Sequence, residues 1–381
     1  MKIVALRLYH LSAKLPETIG NALIFFDRRE TLLVELVGED GQSGWGESWP
    51  APTPTAALIA TQLAPCVLGQ DCEHIGRLWQ AMSQAASAEP HGIAAMAVAA
   101  IDMALHDLTA RGRGIPLSTL LGGAARDRVL AYASGPFFKP GGHPYRHFAV
   151  ETEGYLRAGF RAIKLRSGFN PVDDAAAAID VRRRMGPKLG LMIDFNESYT
   201  PRAAVAAVSR MAEADLLWVE EPAVPGDLEG YRQIAHHIMP AIAGGETFGG
   251  AKAFRRFLEL GCMDVLQPDI AICGGLTGVQ RVVALAEIFD RPVVPHVWGS
   301  TVNFHAALHL AATLPSHRSG GPGPFPLLEY DAGPNPLLDL AGHPALNPDG
   351  TVTVPDGPGL GITLTPDMLA PFVERRWEWL R

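Results

Sequence analysis

A chain of 381 residues, 48% apolar and 19% charged, is ordinary for a globular protein and long enough for one large barrel plus a smaller domain. Its net charge of −8 and pI near 5.9 exclude the basic, clustered footprint of a nucleic-acid binder, but leave an anionic small molecule open as partner. Its four cysteines, Cys66, Cys72, Cys262 and Cys273, form no C-x-x-C pair and read as reduced, in a cytoplasmic setting.

The first segment alternates like strands. "KIVALRLYHL" and "ETLLVELVGEDGQSGWGES" are two β-branched runs with a turn at "GEDGQSG". The N-terminus carries no long apolar core of a signal peptide. Helical patterning follows from about Pro54 to Leu108. Its most apolar window, "GIAAMAVAAIDMALHDL", is broken by Asp102 and His106, so no membrane span is expected. These elements predict a compact α+β unit over residues 1–125.

The rhythm then changes. Short apolar runs recur, each followed by a polar turn and an amphipathic helix: "VLAYAS", "RAIKLR", "LGLMID", "LLWVE", "PAIAGGE", "MDVLQPD", "RPVVPH" and "PLLE". Buried, unalternating strands between helices imply a parallel sheet, and this many units fit a closed α/β barrel over residues 126–346. An open doubly wound sheet usually carries a G-x-G-x-x-G turn after its first strand, and "VLAYASGPFF" has none. The Pro/Gly-rich tail, about 347–381, is expected to return to the first domain and complete it.

Barrel chemistry sits at the C-terminal strand ends. Those ends carry Lys164 and Arg166, Asp194, Glu220, Glu246, Asp269, His296 and Glu329. Asp194, Glu220 and Glu246 are 26 residues apart in turn, about one strand–helix–strand step. A single acid at a strand end is usually a helix cap or a surface charge. Three at equal spacing stand at one height and repel, and a hard divalent cation with oxygen ligands, Mg²⁺, cancels that repulsion. Strand alternation then turns Glu221 away from Glu220, toward a cation or a backbone N–H, and Pro222 ends the strand. Lys164 and Arg166 share a face and suit a substrate carboxylate. Asp269 and His296 end successive strands and read as a dyad base. Glu329 is either a protonated donor or a rim charge. "NFHAALHLAA" pairs His305 with His309 on one helix face but lacks the glutamate of H-E-x-x-H, so no zinc site is expected. "RRR" at 182–184 reads as solvated helix surface.

These residues resemble the enolase superfamily, in its mandelate racemase/muconate lactonizing enzyme family, mandelate racemase subgroup. The likeness runs through K-x-R at Lys164 and Arg166, "IDFN", "VEEP", "GGE", "QPD", "PHVWG" and "LEYD", with "GWGES" and "AAIDMALHDL" in the first domain. It implies a (β/α)7β TIM-like barrel with an N-terminal α+β capping domain, one Mg²⁺, and a homo-oligomer. It also implies a common step: a proton is removed next to a carboxylate and the enediolate charge is stabilised. "FDRRETLLVE", "EEPAVPGDLEGY", "VLQPDIAICGG" and "PDGPGLGI" are similar to the galactarolactone cycloisomerase branch, whose substrates are acid sugars and their lactones.

Two positions depart from the family. Arg166 stands where its racemases carry Lys. Arginine stays protonated and is a poor proton shuttle, so β-elimination by one base, dehydration or lactone ring opening, is favoured over racemisation. His106 stands where many relatives carry Trp, and reads as a packing change. The pocket is expected to be walled by Phe25, Phe26 and Trp49 from the capping domain, with Asn196 and Trp298 from the barrel. The loop from Pro16 to Phe26 and "SWPAPTP" are the expected lid. A racemase or epimerase, a barrel hydrolase lacking its H-x-H, and a silent sugar-acid binder are the weaker readings.

Overall fold

The structure, a computed structural model, describes residues 1–87, 91–317 and 325–381. The chain opens with three antiparallel strands, β1 (Ile3–Gly20), β2 (Phe25–Gly38) and β3 (Ser43–Ser48). Parallel strands follow: β4 (Arg128–Ser134), β5 (Ala162–Arg166), β6 (Gly190–Asp194), β7 (Trp218–Glu220), β8 (Ala241–Gly244), β9 (Val265–Leu266) and β10 (Leu327–Asp331). Two further strands come last, the short β11 (Thr351–Thr353) and the longer β12 (Val373–Leu380).

The parallel strands run β10-β4-β5-β6-β7-β8-β9, with helices between them. β5, β6 and β10 are buried on nearly every residue, which is why their sequences do not alternate. The run "RPVVPH" joins only by single bridges, Leu266 to Val293 and Asp269 to His296. Pro292 and Pro295 explain this, because neither can donate to a ladder. The architecture is a (β/α)7β barrel with an α+β cap.

One inward layer fixes the height of everything above it. Tyr132, Ala162, Met192, Trp218, Ala243, Val265, Val294 and Leu327 form one buried cluster, each from a different barrel segment. Strand residues two apart share a face. The next inward positions are therefore Ser134, Lys164, Asp194, Glu220, Gln267, His296 and Glu329. An apolar floor and a polar storey lie one residue pair apart.

The cap is a sheet ordered β12-β1-β2-β3, packed on the helix Ile93–Gly112. That helix is long and apolar enough to cross a membrane, but 89% of its apolar window is buried inside the molecule. It meets β3 at Gly44 and Gly46, where backbone touches backbone. A Cβ at Gly46 would fall on the carbonyl oxygen of Ala100 and within 2.7 Å of the Ala104 nitrogen. Gly46→Ala is expected to cost about 3 kcal/mol or more, seen as a lower urea midpoint.

Three expectations need correcting. The stretch from Pro16 to Phe26 is mostly strand: Ile19 pairs with Phe26 and Gly20 with Phe25, after a register shift past Lys14. The hairpin bulges there, so its alternation is lost from the sequence. The tail is split: β11 stays on barrel strand β4, and β12 pairs with β1 of the cap. Arg182 is buried and donates to the carbonyls of Gly186, Leu189, Ala214 and Asp215, so only Arg183 and Arg184 are solvated.

His305 and His309 lie in the helix Thr301–Thr313 as buried packing groups. His309 Nδ1 accepts the Ser118 N–H, and burial pulls the imidazole down from 6.5 to about 4. Its stabilising contribution is full above pH 6.5 and lost as pH falls through 4, a gap worth about 3 kcal/mol. Thermal melts from pH 7 to 4 should fall less steeply in His309→Gln than in the parent.

Candidate active site

Polar groups converge over the apolar floor. Lys164, wholly buried, contacts Glu220, lies 2.9 Å from Glu329 Oε1 and 3.8 Å from Asp194 Oδ2. Burial pulls its pKa down, but Glu220, Glu329 and Asp194 outweigh this and keep the ammonium charged. Arg166 binds Asp194 and donates to Ser134 Oγ at 3.1 Å. Burial opposes its charge as well, and Asp194, Glu329 and Glu220 override it.

Glu220 ends β7. Its Oε2 accepts from Gln267 Nε2 at 2.6 Å and from Trp218 Nε1 at 3.1 Å. Burial pushes its pKa up to about 7; Lys164 pulls it back, and Asp194, Glu329 and Glu246 add repulsion. Glu246 is raised by burial too, against the pull of His296. Its Oε2 has no hydrogen-bond partner among the described residues and lies 3.2 Å from His296 Nε2.

The three acids do not stand as a ready-made metal cluster among the described residues. Each is drawn to a cation instead: Asp194 to Arg166, Glu220 to Lys164 and Glu246 to His296.

Glu221 departs from expectation. Its φ of +40° turns the chain out of the strand, so simple alternation no longer aims it. It is buried, its Oε1 lacks a hydrogen-bond partner among the described residues, and its neighbours are acids. Burial, then Glu246, Asp194, Glu197 and Glu220, hold its pKa well above the carboxylate range. Asn196 and Glu197 also sit at positive φ, +45° and +61°, so strained backbone collects at this rim.

Asp269 and His296 form a tight pair, with Oδ2 2.8 Å from Nδ1. Asp269 has all its acceptor directions filled. Oδ1 takes the Ala271 N–H at 2.7 Å and Asn303 Nδ2 at 3.1 Å; Oδ2 also takes Trp49 Nε1 at 2.7 Å. Burial disfavours the imidazolium, but Glu246, Glu329 and Asp269 push His296 up to about 10. Beside Lys164, Glu329 is held as a carboxylate rather than as a protonated donor. Burial raises it, but Lys164, His296 and Arg166 win and hold it at about 2.

A cavity of about 250 Å³ opens above this storey. Arg166, Asn196, Glu246 and His296 line it from the barrel, with Phe26, Trp49 and Trp298 around them. Lys164, Asp194, Glu220, Asp269 and Glu329 lie beneath, buried. Phe25 is 50% exposed and outside the cavity, because alternation sends it away from Phe26. Asn196 donates to Asp194 Oδ2 at 3.1 Å and leaves its own Oδ1 without a hydrogen-bond partner among the described residues. A larger cavity, about 670 Å³, lies among the strand starts at the other end of the barrel and holds none of the strand-end acids.

Three contributors were not singled out from the sequence. Phe137 lines the cavity. Buried Arg29 stacks on Trp298 with its guanidinium 3.7 Å from the ring centre, and pairs with Asp331 at 2.9 Å. Glu47 accepts from Thr31 Oγ1, Ser300 N, Ser300 Oγ and Asn303 N at 2.6–2.9 Å. The motifs "FDRRET" and "GWGES" contain Arg29 and Glu47, but nothing in them shows that both cross to the barrel.

Comparison with known proteins agrees with this architecture. Residues 16–122 match the mandelate racemase/muconate lactonizing enzyme N-terminal domain, and residues 147–368 the enolase C-terminal domain-like family. The chain is 36% identical to D-galactarolactone cycloisomerase of Agrobacterium fabrum, over 98% of this chain and 99% of that protein. The 3,6-anhydro-D-galactonate cycloisomerase structure from Zobellia galactanivorans superposes with a TM-score of 0.88, at 30% identity, covering 98% of this chain and 100% of that one. L-talarate/galactarate dehydratase of Salmonella typhimurium, liganded with Mg and L-lyxarohydroxamate, gives 0.88 at 26% identity, covering 100% and 95%. With both domains matched in order along one barrel and cap, the chain belongs to the mandelate racemase/muconate lactonizing enzyme family of the enolase superfamily.

Proposed function

We propose that this chain is a Mg²⁺-dependent lyase or isomerase of an acid sugar or its lactone. It removes the proton next to a carboxylate and expels a β substituent. The relatives support the substrate class, being named for galactarolactone, anhydrogalactonate and talarate/galactarate. The observation that carries the reading is the pairing of an Asp-oriented imidazole with a cationic carboxylate cradle on one cavity.

Asp194, Glu220 and Glu246 would hold the cation. The fit rests on three features: all donors are oxygen, Glu246 Oε2 lacks a hydrogen-bond partner among the described residues, and burial with mutual repulsion strains the acids. When bound, Mg²⁺ supplies positive charge against the electron-rich form of the substrate carboxylate.

The chain's own groups do the rest. Arg166, backed by Lys164, binds and neutralises the carboxylate. Asp269 holds Nδ1–H of His296; Glu246, the acid that most favours the imidazolium, would turn to the cation, and the ring, relieved of it, would present a free Nε2 to the α-proton. The C–H electron pair becomes the new C=C bond as the β C–O bond breaks. A leaving hydroxyl receives the proton and departs as water, whereas a lactone carboxylate departs as its anion; the enol then ketonises, losing its O–H proton and gaining one at the β carbon. Phe26, Trp49, Phe137 and Trp298 wall off water. A cytoplasmic setting, in line with four free cysteines, and a homo-oligomer, from the family resemblance, belong to the same proposal.

Proton NMR in D₂O with Mg²⁺ tests it, across hexonates, hexarates and their lactones. A 2-keto-3-deoxy product that carries deuterium at C3, the carbon that bore the leaving group, from an open-chain acid means dehydration. The same signature from a lactone alone means ring opening. No product and no α-proton exchange from any member would overturn the reading.

A further inference from the structure

We infer that Trp49 is a positioning residue of the proton-transfer dyad, through which the capping sheet holds Asp269 in the orientation that aims His296. The inference rests on the proposed function for its kinetic consequence, and on geometry alone for the contact.

Asp269 is the only acid that touches Nδ1 of His296 among the described residues, so its rotation sets the ring's rotation. Two donors from the barrel fix Oδ1, the Ala271 N–H and Asn303 Nδ2. Oδ2 carries His296, and the fourth donor, the Trp49 indole N–H at 2.7 Å, comes from the cap. A carboxylate pinned by four donors cannot tilt. With Trp49 removed, Oδ2 keeps only the group it is meant to orient.

Trp49 is itself held. It follows β3 directly, and Glu47, two residues earlier, is fastened by four hydrogen bonds, three of them from Ser300 and Asn303. Asn303 therefore links Glu47 to Asp269 from the other side. Gly299 lets the segment approach: a Cβ there would lie 3.1 Å from Trp49 Cβ and collide with Glu47, at a φ of +99°. The indole packs against His296 and Trp298 at centroid distances of 6.1 and 6.2 Å. A purely apolar wall would need the ring but not an N–H aimed at a buried carboxylate.

The test has two arms. The first labels the seven tryptophans with ¹⁵N at the indole nitrogen and compares the parent with Asp269→Asn, both with Mg²⁺. One indole signal should move upfield as its charged acceptor becomes neutral, and it should be the signal missing from Trp49→Phe. If Asp269→Asn moves no indole signal, the contact is absent and the inference falls, whether or not Trp49→Phe folds. The second arm measures Trp49→Phe on whichever hexonate, hexarate or lactone the parent turns over. kcat should fall about 10- to 100-fold with KM and Mg²⁺ affinity within about twofold, as for other groups that orient an active imidazole. Unchanged kcat, or a rise in KM alone, would make Trp49 a wall and overturn the positioning role. A parent inactive on every compound would count against the proposed function, while the indole signal would still decide the contact.

Discussion

His296→Asn should lose α-proton exchange by about 10³-fold or more while Mg²⁺ affinity stays within a few-fold. The side-chain amide can still donate to Asp269 Oδ2, now 2.8 Å from the imidazole, so the local packing survives. What disappears is Nε2, the imidazole atom at the cavity that the Asp269 hydrogen bond leaves to carry the proton. Exchange monitored by NMR in D₂O, beside calorimetric Mg²⁺ titration, separates the two effects. Retained exchange would remove His296 from the base role and point to another group on the rim. Loss of both exchange and metal binding would mean that the site had collapsed rather than lost its base.

Glu246→Gln should weaken Mg²⁺ binding by about 100-fold or more and leave the metal-free protein no less stable. The two halves have one cause. Glu246 is half-buried at the cavity wall, raised in pKa, and lacks a hydrogen bond at Oε2 among the described residues. It also raises the pKa of Glu220 and Glu221 by repulsion. Removing its charge relieves that repulsion and removes a cation ligand together. Unfolding in urea with a chelator, beside Mg²⁺ titration, reads both. Unchanged affinity would refute the ligand assignment. A large loss of metal-free stability would show that the pairing with His296 outweighs the repulsion.

Most of the barrel was legible because its strands are buried on both faces and so read as plain apolar runs. "RAIKLR" and "LGLMID" became β5 and β6 almost to the residue. "RPVVPH" kept its place but not its ladder, because two prolines removed the donors. The even spacing of Asp194, Glu220 and Glu246 was legible because each barrel step consumes similar chain. Partner choice was not. Glu221 looked bound for a cation or a backbone N–H, but a single positive φ redirected it among acids. Glu329 looked able to be protonated until Lys164 was found beside it. Trp49, Arg29 and Glu47 meet partners from about 220 to 300 residues away, and no local pattern carries such pairings.

The pairing of β12 with β1 has a consequence for biosynthesis. Arg7 donates to Glu378 at 2.6 Å across a separation of 371 residues. The outer strand of the cap therefore leaves the ribosome after every barrel strand. During translation β1 waits with an open edge, and the chain cannot close its sheet until the barrel is complete. Ribosome-stalled chains lacking residues 373–381 should expose that edge to chaperones and proteases, and released chains should not.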